Sequence, residues 1–294
     1  MGSPDFAVPV LQALAGAYPL AGVVTQPDRP AGRGLTLVPP PVKRTALELG
    51  LPVVQPEKLR TPEALAELRA WSPDLIVVAA FGQILRPAVL DLPRFGCLNV
   101  HASLLPRWRG AAPIQAALLA GDTETGVTIM KLDPGVDTGP TLSRRALPIG
   151  PDDTAGDLFE RLAPLGAQLL LETLPGYLAG SLALQPQDAA RATYAPMLKK
   201  EDGQLDFSRP ADELARRVRA FQPWPGTWMR WSGGDLKVQR ARPGSGQAEP
   251  GATLVSDGWP AVGTPDGILI LEKVQAAGKK SLSGKDFLVG ARGW

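Results

Sequence analysis

Residues 97–109 read CLNVHASLLPRWR, and His101 is the only histidine in the 294-residue chain. Asn99 precedes it by two residues and Ser103 follows it by two. On a strand, side chains at i and i+2 share a face, so Asn99 and His101 project together. An amide and an imidazole are costly on an otherwise apolar strand unless they have partners or a purpose. The pair alone fits either a satisfied core histidine or a site. A second stretch, DPGVDTGP (133–140), follows the apolar run GVTIMKL and offers Asp133 and Asp137 on a loop rich in Gly and Pro. If the two strands are neighbours, a carboxylate meets the imidazole and favours its charged form. Both aspartates also suit plain turn formation.

Other chemistries are weaker. Cys97 shares a strand face with His101, but four strand residues span ~13 Å, too far for a Cys–His hydrogen bond. Cys97 therefore reads as a small buried hydrophobe. Ser103 lacks the Gly-x-Ser-x-Gly elbow of a serine hydrolase. No phosphate-cradling glycine loop occurs, which argues against a nucleotide-dependent dehydrogenase or kinase. One Cys forbids an intramolecular disulfide and fits a reducing compartment. One His and one Cys leave no ordinary zinc or iron–sulfur site, only an all-oxygen one.

The positioning elements follow from periodicity. Helical spacing runs over 4–18, 42–49, 62–71, 112–120 and 154–180, with strands over 20–25, 51–56, 74–81, 97–102 and 126–132. Continuous Val/Ile/Leu strands alternating with helices imply an α/β fold, a Rossmann-like doubly wound parallel sheet covered on both faces. Such a sheet places ligands at the carboxyl ends of its strands, where Asn99 and His101 lie. A doubly wound domain normally opens on a strand, whereas this sequence opens at the turn MGSPDF. The first strand is therefore expected to be missing, with the start residue placed too late. Residues 1–181 form the expected catalytic domain and 182–200 a linker. After a helix over 210–221, short strands between Gly, Pro and Asp turns imply a small OB-like antiparallel β-barrel domain at 201–294.

Composition sets outer limits. Apolar residues make up 44% and charged residues 20%, so a sizeable core can be buried, which argues against global disorder. Residues 1–195 carry 16 basic and 18 acidic side chains, and 196–294 carry 15 and 11. That tilt is milder than a dedicated nucleic-acid module shows. The longest strongly apolar run, LIVVAAF (75–81), is far below the ~18 residues of a spanning helix. The first residues lack the basic start of a signal peptide. A cytoplasmic monomer with no membrane partner is expected.

The stretch NVHASLLPRWRGAAPIQAALLAGDTETGVTIMKLDPGVDTGP (99–140) resembles the catalytic core of the 10-formyltetrahydrofolate-dependent formyltransferases. The shared features are the Asn-x-His strand, the SLLP turn, the RGAAPI helix start and the Asp-Pro-Gly-x-Asp-Thr-Gly loop. TQPDRPAGRGLTLVPPPVK (25–43) is similar to the tRNA-contacting insertion of the members that formylate methionyl-initiator tRNA. RAFQPWPGTW (219–228) is similar to the opening of their C-terminal domain. The likeness runs from GSPDF to KDFLVGAR. It implies catalysis by Asn99, His101 and Asp137, without a metal. It implies a folate site at Ser103, Leu104, Leu105 and Pro106, with backbone groups of Ile84 and Leu85 serving the pterin ring. It implies 10-formyltetrahydrofolate as the formyl donor and co-substrate. In the resembled mechanism an amine attacks the formyl carbon while Asn99 and a protonated His101 stabilise the oxyanion, and Asp137 helps relay the proton.

Loop 28–45 carries Arg29, Arg33, Lys43 and Arg44 against Asp28. Read alone it is a solvated surface loop; with the resemblance it becomes a tRNA contact, led by Arg33. Lys237 and Arg240 lie in a basic track of the second domain. Formylation of a sugar nucleotide, hydrolysis of formyl-folate, a noncatalytic RNA-binding module and a Ser103 hydrolase remain as rivals. The basic PAGRG loop opposes the first two, which share the Asn, His, Asp set, and that intact set opposes the third; a fluorophosphonate probe tests the Ser103 hydrolase.

Overall fold

The structure, a computed structural model, describes residues 1–31 and 36–294. The chain divides into two compact units that are discontinuous in sequence. One comprises Met1–Pro113, Glu124–Pro148 and Phe159–Ala195; the other comprises Ile114–Thr123, Ile149–Leu158 and Pro196–Trp294.

In the first unit, Ile76–Val78 pairs in parallel with Cys97–His101, Ile76 opposite Cys97 and Val78 opposite Asn99. On its other side Cys97–His101 pairs with Glu124–Lys131, His101 opposite Thr128, and this pairing is antiparallel. Glu124–Lys131 then pairs antiparallel with Thr141–Pro148. The four-stranded sheet is therefore mixed, which corrects the expected all-parallel sheet. Glu124–Lys131 is buried at six consecutive positions. An apolar run of that kind reports burial on both faces and says nothing about strand direction. The antiparallel strand also moves the 133–140 loop to the amino end of Cys97–His101, since Lys131 lies opposite Leu98.

Val23–Val24 pairs in parallel with Val53–Val54 as a separate two-stranded sheet. Met1 and Gly2 lie between this pair and Ile76–Val78. The Gly2 N–H donates to Val24 O at 3.0 Å, and the Ala79 N–H donates to Met1 O at 2.9 Å. The Met1 amino group donates to Val77 O at 2.6 Å. Burial pushes the Met1 amino group down to about 6. A cavity of about 710 Å³ adjoins these residues, lined by Met1, Leu11, Val23, Trp71, Ile76 and Leu174 among others.

Helices cover the sheet for identifiable reasons. Pro62–Ala70 starts behind Thr61, whose side chain accepts the Ala64 N–H, with proline at the first helical position. Ala155–Leu178 lies against Cys97–His101 closely enough that a Cβ at Gly166 would come 2.7 Å from Val100 Cγ1. Leu98, Val127, Ile129 and Met130 are fully buried.

The second unit holds an antiparallel sheet in the order Thr227–Trp231, Gly234–Gly244, Gly267–Ala276, Trp259–Thr264, Thr253–Ser256, with Leu282–Ser283 beside Gly267–Ala276. Among the described residues its two end strands do not pair, so the sheet is open where a barrel was expected. Gly, Pro and Asp turns specify hairpins; closure depends on strand tilt and stagger, which turn residues do not encode. Leu214 and Val218 of the helix Ala211–Ala220 cover it, packed with Leu236, Val238, Leu269 and Leu271. Among the described residues, no helix is long and apolar enough to cross a membrane.

Candidate active site

The strand Cys97–His101 is buried at every position except Asn99, which is half-buried. Asn99 and His101 share a face, and the loop after Glu124–Lys131 folds back to bring Asp137 to both. Asn99 Nδ2 donates to Asp137 Oδ1 at 3.4 Å. His101 Nδ1 lies 3.7 Å from Asp137 Oδ2. The Gly110 N–H donates to the same Oδ2 at 2.8 Å. Asp133 instead accepts from the Gly135 N–H and the Thr138 hydroxyl, so it is the turn former of the two.

The imidazole is oriented by its other nitrogen. His101 Nε2 lies 2.9 Å from the Trp108 carbonyl oxygen. A carbonyl only accepts, so Nε2 carries a proton and Nδ1 is the nitrogen turned toward Asp137. The 3.7 Å gap to Asp137 is longer than a hydrogen bond. The carboxylate therefore faces the ring without a direct hydrogen bond to it. Trp108 and Asp137 have φ of 63° and 51°, in the left-handed region. Each such residue costs about 1–3 kcal/mol, and strain of this kind collects at functional sites.

The turn after the strand is tied down at each residue. Ser103 Oγ donates to Arg107 O at 2.6 Å. Thr128 Oγ1 donates to Ser103 O at 2.7 Å and accepts the Leu105 N–H at 3.1 Å. Arg144 Nη1 donates to Leu105 O at 3.0 Å. This arrangement presents a carboxylate, an amide and an imidazole together beside a rigid turn, which suits proton transfer and stabilisation of a developing oxyanion. Among the described residues, no three His, Cys, Asp or Glu side chains converge as a metal-holding group.

Residues 3–174 match the family described as Formyl transferase. The chain belongs to that family. Residues 197–292 match its C-terminal domain. A methionyl-tRNA formyltransferase of Myxococcus xanthus is 50% identical to this formyl transferase over 292 residues, covering 99% of this chain and 93% of the relative. One from Halorhodospira halophila is 53% identical over 296 residues, covering 99% and 95%. Two solved structures share the fold. WlaRD, a sugar 3N-formyl transferase solved in the presence of dTDP and 5-N-formyl-THF, has a TM-score of 0.68 at 19% identity, covering 95% of this chain and 97% of its own. An N-formyltransferase from Helicobacter canadensis has a TM-score of 0.67 at 18% identity, covering 92% and 96%.

In this formyl transferase the structure brings Asn99, His101 and Asp137 together, all in the first unit. Ser103 and Leu105 are buried, while Leu104 and Pro106 are half-buried. Ile84 is 63% exposed and Leu85 is buried. Their loop is anchored by Gln83, which accepts the Leu59 N–H at 3.0 Å and donates to Pro56 O at 3.2 Å. Burial pushes the Cys97 thiol up to about 12, in line with an inert packing role.

The basic residues divide. Arg33 lies outside the described residues. Arg29, on Arg29–Ala31, pairs with Glu57 at 3.3 Å in an exposed contact. Lys43 donates to both oxygens of Asp28 at 2.9 and 2.8 Å. Hydrogen bonds from Gln55 and Lys43 hold the Asp28 carboxyl below its ordinary value. Arg44 is exposed on Pro41–Glu48. In the second unit Lys237 is exposed, and Arg240 pairs with Glu272 and Asp152 at 3.0 and 3.4 Å. Sequence reasoning missed the Gly110 N–H, the Trp108 carbonyl and Gln187. Two of these are backbone groups, and Gln187 sits in a stretch without periodicity.

Proposed function

We propose that this formyl transferase moves the formyl group of 10-formyltetrahydrofolate onto the α-amino group of methionyl-initiator tRNA, giving N-formylmethionyl-tRNA for translation initiation. The observation that carries this reading is the convergence of Asn99, His101 and Asp137 in a chain about half identical, end to end, to methionyl-tRNA formyltransferases. The α-amino nitrogen attacks the formyl carbon, and the carbonyl oxygen gains negative charge. Asn99 Nδ2 and a protonated His101 Nδ1 donate to that oxygen, each donor contributing ~2.7–4 kcal/mol to the transition state. Asp137 holds the imidazolium by charge and helps carry the amine proton toward the leaving folate nitrogen. The proton lost by the amine is the one gained by the leaving folate nitrogen, so the step balances with no net proton drawn from the chain.

The donor lies against Ser103–Pro106, with backbone groups of Ile84 and Leu85 receiving the pterin. We assign this chemistry to residues 1–181, a Rossmann-like domain of mixed strand direction. Residues 182–200 link it to an OB-like tRNA-binding domain at 201–294. Arg29, Arg33, Lys43 and Arg44 meet the acceptor end of the tRNA, and Lys237 and Arg240 track its backbone, in the cytoplasm. Arg44 is exposed, whereas Lys43 is already held by Asp28.

The structural likeness to sugar N-formyltransferases supports a second acceptor class. One experiment separates them. Labelled formyl from 10-formyltetrahydrofolate is offered to Met-tRNA and to a dTDP-amino sugar in one vessel. Label on Met-tRNA is expected; label on the sugar nucleotide alone would replace the proposal.

A further inference from the structure

Gln187 lies in the segment that the sequence reads as a linker. From Ser181 to Arg191 it is the one residue that is not exposed. Its Oε1 accepts from Arg109 Nε at 3.1 Å and from Arg109 Nη2 at 2.9 Å. Its Nε2 donates to Asp137 O at 2.9 Å and to Gly139 O at 2.6 Å. The amide has one orientation, because a guanidinium only donates and a carbonyl only accepts. Arg109 is buried, so the clamp is anchored to a side chain with little freedom to move.

The flanking residues reinforce this placement. Thr141 and Gln185 exchange backbone hydrogen bonds at 2.9 Å in both directions. Tyr194–Ala195 pairs in parallel with Arg109–Gly110. The segment 185–195 is thus bonded to the Asp137 loop at one end and to Arg109–Gly110 at the other. Asp137 needs such support, since its left-handed backbone is unfavourable for a residue with a Cβ.

We propose that Gln187 is a positioning residue for Asp137, clamping the 137–139 backbone to Arg109 so that the carboxylate faces Asn99 and His101. This rests on the reading of Asp137 as part of the formyl-transfer site. The clamp has two halves of different character. The Arg109 half needs an acceptor, and the loop half needs a donor. Gln187→Glu keeps the first and destroys the second by setting a carboxylate oxygen against two carbonyls. Gln187→Met removes both at similar volume.

The test has a readout free of substrate. His101 is the only histidine, so the folded protein gives one set of imidazole ¹H–¹⁵N signals, without assignment ambiguity. Both variants are expected to shift those signals in the substrate-free protein. They are also expected to lower kcat about tenfold or more, the effect of a small misplacement of a reacting group. The KM for Met-tRNA should stay within about threefold, since no substrate contact is removed. Unmoved ring signals in the folded variants, or a kcat within twofold of the parent, would overturn the proposal. If the parent transfers no formyl to Met-tRNA, the functional reading fails, and the ring signals alone still decide whether Gln187 places Asp137.

Discussion

Asp137→Asn probes the site with almost no change of shape. The carboxylate has three neighbours: the Gly110 N–H at 2.8 Å, Asn99 Nδ2 at 3.4 Å and His101 Nδ1 at 3.7 Å. All three are donors or potential donors, and an amide offers one acceptor oxygen. If that oxygen takes the Gly110 N–H, the new NH₂ faces Asn99 Nδ2, donor against donor. If the amide flips, the Gly110 N–H loses its partner. The ground-state cost is that of one charge-assisted hydrogen bond, ~1.5–3 kcal/mol. The larger effect is on the reaction, because the negative charge that supports an imidazolium is gone. Loss of a group that supports proton transfer lowers the rate ~10²–10⁴-fold. That corresponds to roughly 3–5 kcal/mol in the barrier. The assay is rapid-quench single turnover with labelled formyl donor, together with a thermal melt. A large fall in rate is expected with a melting temperature lower by only a few degrees. A folded variant within about tenfold of the parent rate would remove Asp137 from the chemistry.

Two further outcomes are expected. Asn99→Ala should lower kcat ~10²–10³-fold, the cost of one oxyanion donor, and an unchanged kcat would reassign that role. Arg33→Ala and Arg44→Ala should each raise the KM for initiator Met-tRNA and reduce the salt slope of binding by about 1; parent-like slopes would take the 28–45 segment out of the tRNA interface.

Much of the candidate site's geometry was legible because it is built from rare residues at informative spacing. A lone histidine two positions from an asparagine defines a strand face without any knowledge of the fold. The Gly- and Pro-rich loop marks where Asp137 must turn. Helices were equally plain: Pro41–Glu48 and Pro62–Ala70 differ from the expected spans by a residue at each end at most. Strand direction was not legible, because Glu124–Lys131 is apolar on both faces whichever way it runs. Thr141–Pro148 went unread because residue type does not follow its alternating burial: Arg145 and Leu147 are half-buried while Arg144 and Ala146 are exposed. Gln187 is the sharpest omission. It acts by bonding two segments distant in sequence, and neither composition nor period records such a contact.

The most direct measurement is transfer of labelled formyl from 10-formyltetrahydrofolate to initiator Met-tRNA, with elongator Met-tRNA in parallel and His101→Ala as the control. Strong transfer to the initiator, weak transfer to the elongator, and loss of most turnover in the folded His101→Ala protein are expected. Equal transfer to both tRNAs would contradict the assigned acceptor. Undiminished transfer by His101→Ala would contradict the proposed role of the chain's only imidazole.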